Sequence, residues 1–139
     1  MTEEQTRIAF VCVQNAGRSQ MATAFANREI DQRDMTDSIM LMTGGTDPAG
    51  SVHDIVIEIM DEIDIDLSGN VPREITESEL QSCDYVVTMG CSTWEFNPAS
   101  GPEVIDWALP DPDGVEKSTA REIRDLIEEN VVALFDELT

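Results

Sequence analysis

The stretch Arg7–Met21, RIAFVCVQNAGRSQM, constrains the fold more than any other part of the chain. An apolar run, Ile8–Val13, contains Cys12, and Arg18 and Ser19 follow after a loop of mostly small residues. Unbroken apolar character bounded by polar residues is the pattern of a strand buried on both faces, which requires helices on either side. Where such a strand turns directly into a helix, loop amides and the positive end of the helix dipole meet at one point.

That junction suits an anion. The amides of Val13, Gln14, Asn15, Ala16, Gly17 and Arg18 can converge on a tetrahedral oxyanion, and the Arg18 guanidinium can hold two of its oxygens in a bidentate grip. The same field favours a thiolate at Cys12. Gly17 admits positive φ and Asn15 tolerates it, so a tight turn is available. Ser19 is placed to cap the helix and to donate to the sulfur. A lone cysteine at a strand end is most often a small buried hydrophobe. The spacing Cys12-X5-Arg18, the turn residues and the flanking strand and helix together make Cys12 a candidate nucleophile.

A chain of 139 residues has room for one domain, expected to span residues 1–139. No apolar run approaches membrane-span length and Met1–Thr6 is polar, so a cytoplasmic location is expected. The net charge is −21, from 29 acidic residues against seven arginines and Lys117. Nucleic acid and anionic membrane surfaces are therefore excluded as natural partners. The charges punctuate periodic apolar stretches, which points to a folded acidic surface of the kind used by salt-loving archaea. In molar salt the Debye length falls to about 3 Å, and self-repulsion is screened. Three cysteines without a secretion signal read as thiol chemistry, and no cysteine–histidine cluster has metal-site spacing.

Along the chain, strands are expected at Arg7–Val13, Ser38–Met42 (closed by Gly44-Gly45), Asp84–Met89 and Glu103–Asp106. Helices are expected at Ser19–Arg33, Val52–Ile65, Thr76–Gln81 and Ser118–Leu138. The last presents a stripe of Ile123, Leu126, Ile127, Val131, Leu134, Phe135 and Leu138, with Ser118 as its cap. The alternation implies an α/β fold with a parallel sheet between helical layers.

The segment Arg18-Ser19-Gln20-Met21-Ala22 after Cys12-X5 resembles the low-molecular-weight tyrosine phosphatases and, more closely, the arsenate reductases that share their fold. The likeness continues through Gly44-Gly45-Thr46, Val52-His53, Glu62–Ser68, Val86–Cys91 and Asp106–Pro112. It implies a flavodoxin-like, four-stranded parallel sheet in the order 2-1-3-4. Asp111, in the stiff segment Leu109-Pro110-Asp111-Pro112, falls on the rim that carries the Cys12 loop and matches the family's general acid. Asp113 is its competitor, and the matched motif, with the acid before proline, favours Asp111. Trp94, Phe96 and Trp107 lie near this rim, but Asp113-Gly114 stands where the phosphatases carry an aromatic wall.

Cys91 separates two chemistries, because a phosphatase needs one cysteine and a reductase needs a source of two electrons. Cys12 and Cys91 both follow ends of strands that the implied order makes neighbours. Cys83 precedes the strand that Cys91 follows; eight extended residues span about 26 Å, which rules out their pairing and makes Cys83 structural. Reductases with this segment often carry a further cysteine a few residues on, whereas this chain has Ser92–Asn97. Thr23 also replaces an acidic residue common in the family's cation site. The implied activity is arsenate reduction through a Cys12 adduct resolved by Cys91 or an external thiol. The implied reductant is thioredoxin, a glutaredoxin-like protein or a small thiol, with no bound cofactor and no metal. The alternative is phosphotyrosine hydrolysis through phospho-Cys12, and a non-enzymatic oxyanion-binding module is a third reading.

Overall fold

The computed structural model describes residues 6–12, 14–45, 47–89, 103–107, 109, 112 and 114–138. Its centre is β1 (Thr6–Cys12), in which every side chain from Ile8 to Cys12 is buried. The two faces of the strand feed two different cores, as the period-two geometry of a strand dictates. Ile8, Phe10 and Cys12 enter the larger core, shared with α1 (Arg18–Gln32), α2 (Asp54–Asp61) and α4 (Lys117–Leu138). Ala9 and Val11 enter a smaller one with Ile75, Leu80, Cys83 and Val86, on the side of α3 (Glu77–Gln81).

Parallel pairing of β1 with β2 (Ile39–Gly45) and β3 (Tyr85–Thr88), and of β3 with β4 (Glu103–Asp106), gives a sheet ordered β2-β1-β3-β4. The expected 2-1-3-4 order is thus present. Because all pairs are parallel, the C-terminal ends of the strands share one rim, where Cys12 lies opposite Gly45.

The element boundaries differ from expectation where backbone contacts decide them. The glycines expected to close β2 instead belong to it. The amide of Gly45 donates to the Arg73 carbonyl at 2.9 Å, and that of Ile75 to the Gly45 carbonyl at 3.3 Å. A Cβ on Gly44 would lie 2.5 Å from the Ile75 Cβ, so the crossing of residues 73–75 over β2 depends on a residue without one. The second helix is shorter than its apolar periodicity. Ile65 N donates to Met60 O and Asp64 N to Asp61 O, with Asp64 at φ 64, a left-handed closure that precedes Ile65. Asp34, at φ 57, ends α1 in the same way. In α4 the stripe is buried at Ile123, Ile127, Val131, Leu134 and Phe135, but Leu126 is 46% exposed, a turn-fraction off the packed face. That helix starts at Lys117, which places Ser118 inside its first turn.

Four of the scarce cations sit at the seams between helices. Arg28 pairs with Glu128 and Arg33 with Asp136, both joining α1 to α4. Arg121 and Arg124 converge from α4 on Glu62 at the end of α2, and Arg124 also donates to the Ile59 carbonyl at 2.7 Å. The hydrogen bond from Arg121, joined by one from Arg124, holds the Glu62 carboxyl down at about 2 against an ordinary 4.5.

Two outcomes follow. Gly44→Ala lowers stability by about 1–3 kcal/mol in chemical denaturation, because the added methyl meets Ile75 rather than open space. For Glu62, the depressed value means that its contribution is complete above pH 4.5 and disappears as pH falls towards 2. The gap in denaturation midpoint between wild type and Glu62→Gln is therefore constant near neutrality and narrows steadily below pH 4.5. A gap that widened on acidification would contradict the ion-pair assignment.

Candidate active site

The loop after β1 is shaped by where its carbonyls go. Gln14 O accepts from Ala49 N at 2.9 Å, Ala16 O from His53 N at 3.0 Å, and Gly17 O from Met21 N at 3.0 Å. Asn15 O accepts from the Gln20 side chain at 2.9 Å. In a trans peptide the N–H points opposite to the C=O of the same plane, and no cis peptide occurs among the described residues. Carbonyls turned outward therefore turn the amides inward. Asn15 demonstrates this, its N–H lying 3.2 Å from Cys12 Sγ. The result is a concave set of donors at the N-terminus of α1, the arrangement that binds oxyanions.

Asn15 is the hub. It is fully buried and takes φ 52, the left-handed conformation that asparagine accepts more readily than most residues. Its Nδ2 donates to Ser19 Oγ at 2.7 Å and to Thr43 Oγ1 at 2.9 Å. Its Oδ1 accepts from Arg73 N at 3.0 Å and Gln20 Nε2 at 3.1 Å. The amide's two N–H bonds and both carbonyl lone pairs are thus engaged. The scaffold extends outward through Asn70 Nδ2, which donates to Gln20 Oε1, and through Thr43 Oγ1, which donates to the Phe10 carbonyl.

Ser19 lies 2.9 Å from Cys12 Sγ. Its oxygen receives the Asn15 amide while its O–H remains available to donate to a thiolate at Cys12, which can only accept. The expectation that Ser19 caps α1 is corrected: the helix begins at Arg18 with Gly17 in the capping position and no side-chain cap. Gly17 is corrected too. Its φ is −144, so it supplies room rather than a left-handed turn. A Cβ there would come 3.2 Å from Pro112 Cγ and 3.7 Å from His53 Cδ2. The Pro112 ring thus closes on the loop at Gly17, and Arg18 Nη1 donates to the Leu109 carbonyl at 2.8 Å. These contacts hold residues 109 and 112, on either side of Asp111, against the anion loop.

Of the sequence-predicted site residues, Cys12, Gln14, Asn15, Ala16, Gly17, Arg18 and Ser19 come together on the rim. Val13, Cys91, Asp111, Asp113, Trp94 and Phe96 lie outside the described residues. Trp107 packs against Phe10, with ring centroids 6.0 Å apart. Cys83 is buried on the other face of the sheet, within reach of the Glu79 carbonyl (3.3 Å) and Met42 Sδ (3.5 Å), and burial pushes its thiol up. Sequence reasoning missed Thr43, Asn70 and Arg73, whose only bearing on the loop is spatial. Gln20 was visible merely as a motif letter. Among the described residues no three His, Cys, Asp or Glu side chains form a group able to hold a metal ion.

Asn15→Asp keeps size and backbone tolerance but replaces the donor facing Ser19 and Thr43 with an acceptor. The variant loses about 2 kcal/mol or more in chemical denaturation and binds inorganic phosphate far more weakly by calorimetry, whereas Thr43→Val costs about 1 kcal/mol.

Residues 7–139 match the family described as low molecular weight phosphotyrosine protein phosphatase. A protein of Halobacterium salinarum named "Putative arsenate reductase" is 58% identical over 135 residues, 97% of this chain and 94% of that protein. The structure of an arsenate reductase in the phosphate binding state superposes with a TM-score of 0.81 at 27% identity, covering 97% of this chain and 100% of the other. The thioredoxin-dependent arsenate reductase of Corynebacterium glutamicum gives 0.78 at 30% identity over 99% of this chain, which spans 63% of that protein. With a family match across nearly the whole chain and the sheet order and anion loop in place, the chain belongs to the low-molecular-weight phosphotyrosine protein phosphatase family.

Proposed function

We propose that this protein is an arsenate reductase in which Cys12 is the nucleophile. The observation that carries the reading is the Cys12 sulfur, held by the Ser19 hydroxyl and the Asn15 amide at the focus of a loop whose carbonyls are tied outward. The choice of reduction over hydrolysis rests on the similarity to arsenate reductases along nearly the whole chain.

Arsenate enters the loop, with its oxygens on the inward amides and on Arg18. The Cys12 thiolate forms a bond to arsenic(V), and the departing oxygen leaves as water after taking a proton from Asp111. The Cys91 thiolate then attacks Cys12 Sγ. The sulfur–arsenic bond breaks with its electron pair on arsenic, arsenite departs, and a Cys12–Cys91 disulfide remains. Two electrons have moved from the thiols to arsenic. An external thiol reductant restores both cysteines by exchange, and a thioredoxin-like dithiol is our proposed donor, by analogy with the Corynebacterium enzyme. Phosphorus(V) accepts no electrons in this scheme, so a phosphoryl group on Cys12 can leave only by hydrolysis. Membership of the phosphatase family makes that the reading to test alongside.

Cys12→Ser abolishes arsenate turnover and any aryl phosphate hydrolysis while leaving the fold intact by circular dichroism. Asp111→Asn lowers turnover by roughly 10²-fold with little change in anion affinity. Cys91→Ser divides the chemistries: arsenate reduction with a dithiol protein donor collapses, while aryl phosphate hydrolysis persists. Mass mapping after one turnover finds Cys12 joined to Cys91 and Cys83 free. Full arsenate turnover in Cys91→Ser would overturn the Cys12–Cys91 relay and leave an external thiol as the resolving group, whereas aryl phosphate hydrolysis without arsenate reduction in the wild type would move the assignment to a phosphatase.

A further inference from the structure

His53, the chain's only histidine, touches the anion loop three times. Its backbone amide pins the Ala16 carbonyl, and its ring edge lies 3.7 Å from where a Gly17 Cβ would be. Its Nε2 is 3.1 Å from Gln14 Oε1. An amide oxygen only accepts, so Nε2 carries the proton and donates. The bond to His53 fixes the direction of the Gln14 carbonyl oxygen, and so orients its two N–H donors at the exposed rim of the loop.

His53 also lines a cavity of about 390 Å3, with Ser51, Val52, Asp54, Ile55 and Gly114. Gly114 lies two residues beyond Pro112, whose ring closes on Gly17, so the cavity adjoins the outer edge of the loop. Among the described residues this wall draws on Ser51, His53 and Asp54 beside the aliphatic Val52 and Ile55, with no hydrocarbon ring on which an aryl group could stack. An aryl group on the departing oxygen would cover these polar groups and strip their water without replacing the lost hydrogen bonds. A bare hydroxyl on the same oxygen keeps them solvated.

We propose that Gln14 and His53 form a substrate-selecting wall that favours an inorganic oxyanion over an aryl ester, with His53 acting as the positioning residue for the Gln14 amide. This rests on the reading of residues 12–19 as the oxyanion loop. It explains how a loop that accepts arsenate and phosphate esters alike is turned towards the free anion.

The test compares calorimetric binding of inorganic phosphate with that of phenylphosphonate, which cannot be hydrolysed, and so reads selection without turnover. His53→Phe shifts the ratio of the two affinities about five- to tenfold towards phenylphosphonate, and Gln14→Leu shifts it the same way. The double variant gains little over either single one, as expected for residues acting as a pair. His53→Gln, whose side-chain N–H can still donate to Gln14, stays near the wild-type ratio. An unchanged ratio in His53→Phe, or an equal shift in His53→Gln, overturns the proposal. If the wild-type protein binds neither ligand, the oxyanion-loop reading itself fails and the selecting wall falls with it. If both bind but arsenate is not reduced, the reductase reading alone is overturned.

Discussion

One buried amide side chain supports the rim of this protein. Asn15 stands at the only left-handed residue of the described loop and connects four separate stretches: the strand end through Cys12, the first turn of α1 through Ser19 and Gln20, β2 through Thr43, and the crossing segment through Arg73. None of these links is strong alone. A buried donor or acceptor left without a partner costs more than a formed hydrogen bond gains, so the network resists partial loosening. The Gly44 crossing belongs to the same arrangement, since it lets residues 73–75 run close enough for the Arg73 amide to reach Asn15. Arg73 is itself held by Glu79, whose carboxylate also caps α3 at Thr76. The support for the loop therefore reaches from the sulfur to the far side of the sheet.

The electrostatic economy is unusual. With 29 acids and eight bases, most carboxylates have no cation to meet, and the chain places its cations where two elements join. Exposed pairs are individually weak and are screened by salt, so their value here is geometric: each arginine fork fixes the angle between two helices. The helix ends show the same acidic bias. Asp34 and Asp64 occupy left-handed closures where glycine is more usual, at a backbone cost of roughly 1–2 kcal/mol each. An acidic surface is thereby maintained even where local geometry favours a smaller residue.

Much of this was legible in the sequence, for a reason that particular residues make clear. The Ile8–Cys12 run, the short helix expected at Thr76–Gln81 and the span Glu103–Asp106 are local patterns, and each is present, the helix beginning at Glu77 with Thr76 as its cap. Cys12, Arg18 and Ser19 were legible because a strand, a tight loop and a helix N-terminus are contiguous in the chain. What was not legible is what acts across distance. Thr43, Asn70, Arg73 and His53 reach the loop from other elements, and no spacing or periodicity marks them. Gly44 looked like a terminator because a glycine pair usually is one. Only the packed Ile75 shows that the missing Cβ serves a crossing. Of the two roles expected of Ser19, the contact with the sulfur is present and the cap is not, while Gly17, expected to turn the chain, instead makes room for Pro112.

Cys83 has a consequence of a different kind. Its sulfur is buried beneath the sheet, with its thiol form favoured, at the start of β3, whereas Cys12 lies at the opposite end and face of the adjoining strand. The sheet is thus an insulator between two sulfurs of unlike character. Among the described residues, the sheet stands between the rim and this second thiol. Under the proposed chemistry, oxidation at the rim leaves the lower core chemically unchanged, and repair of the rim restores the whole.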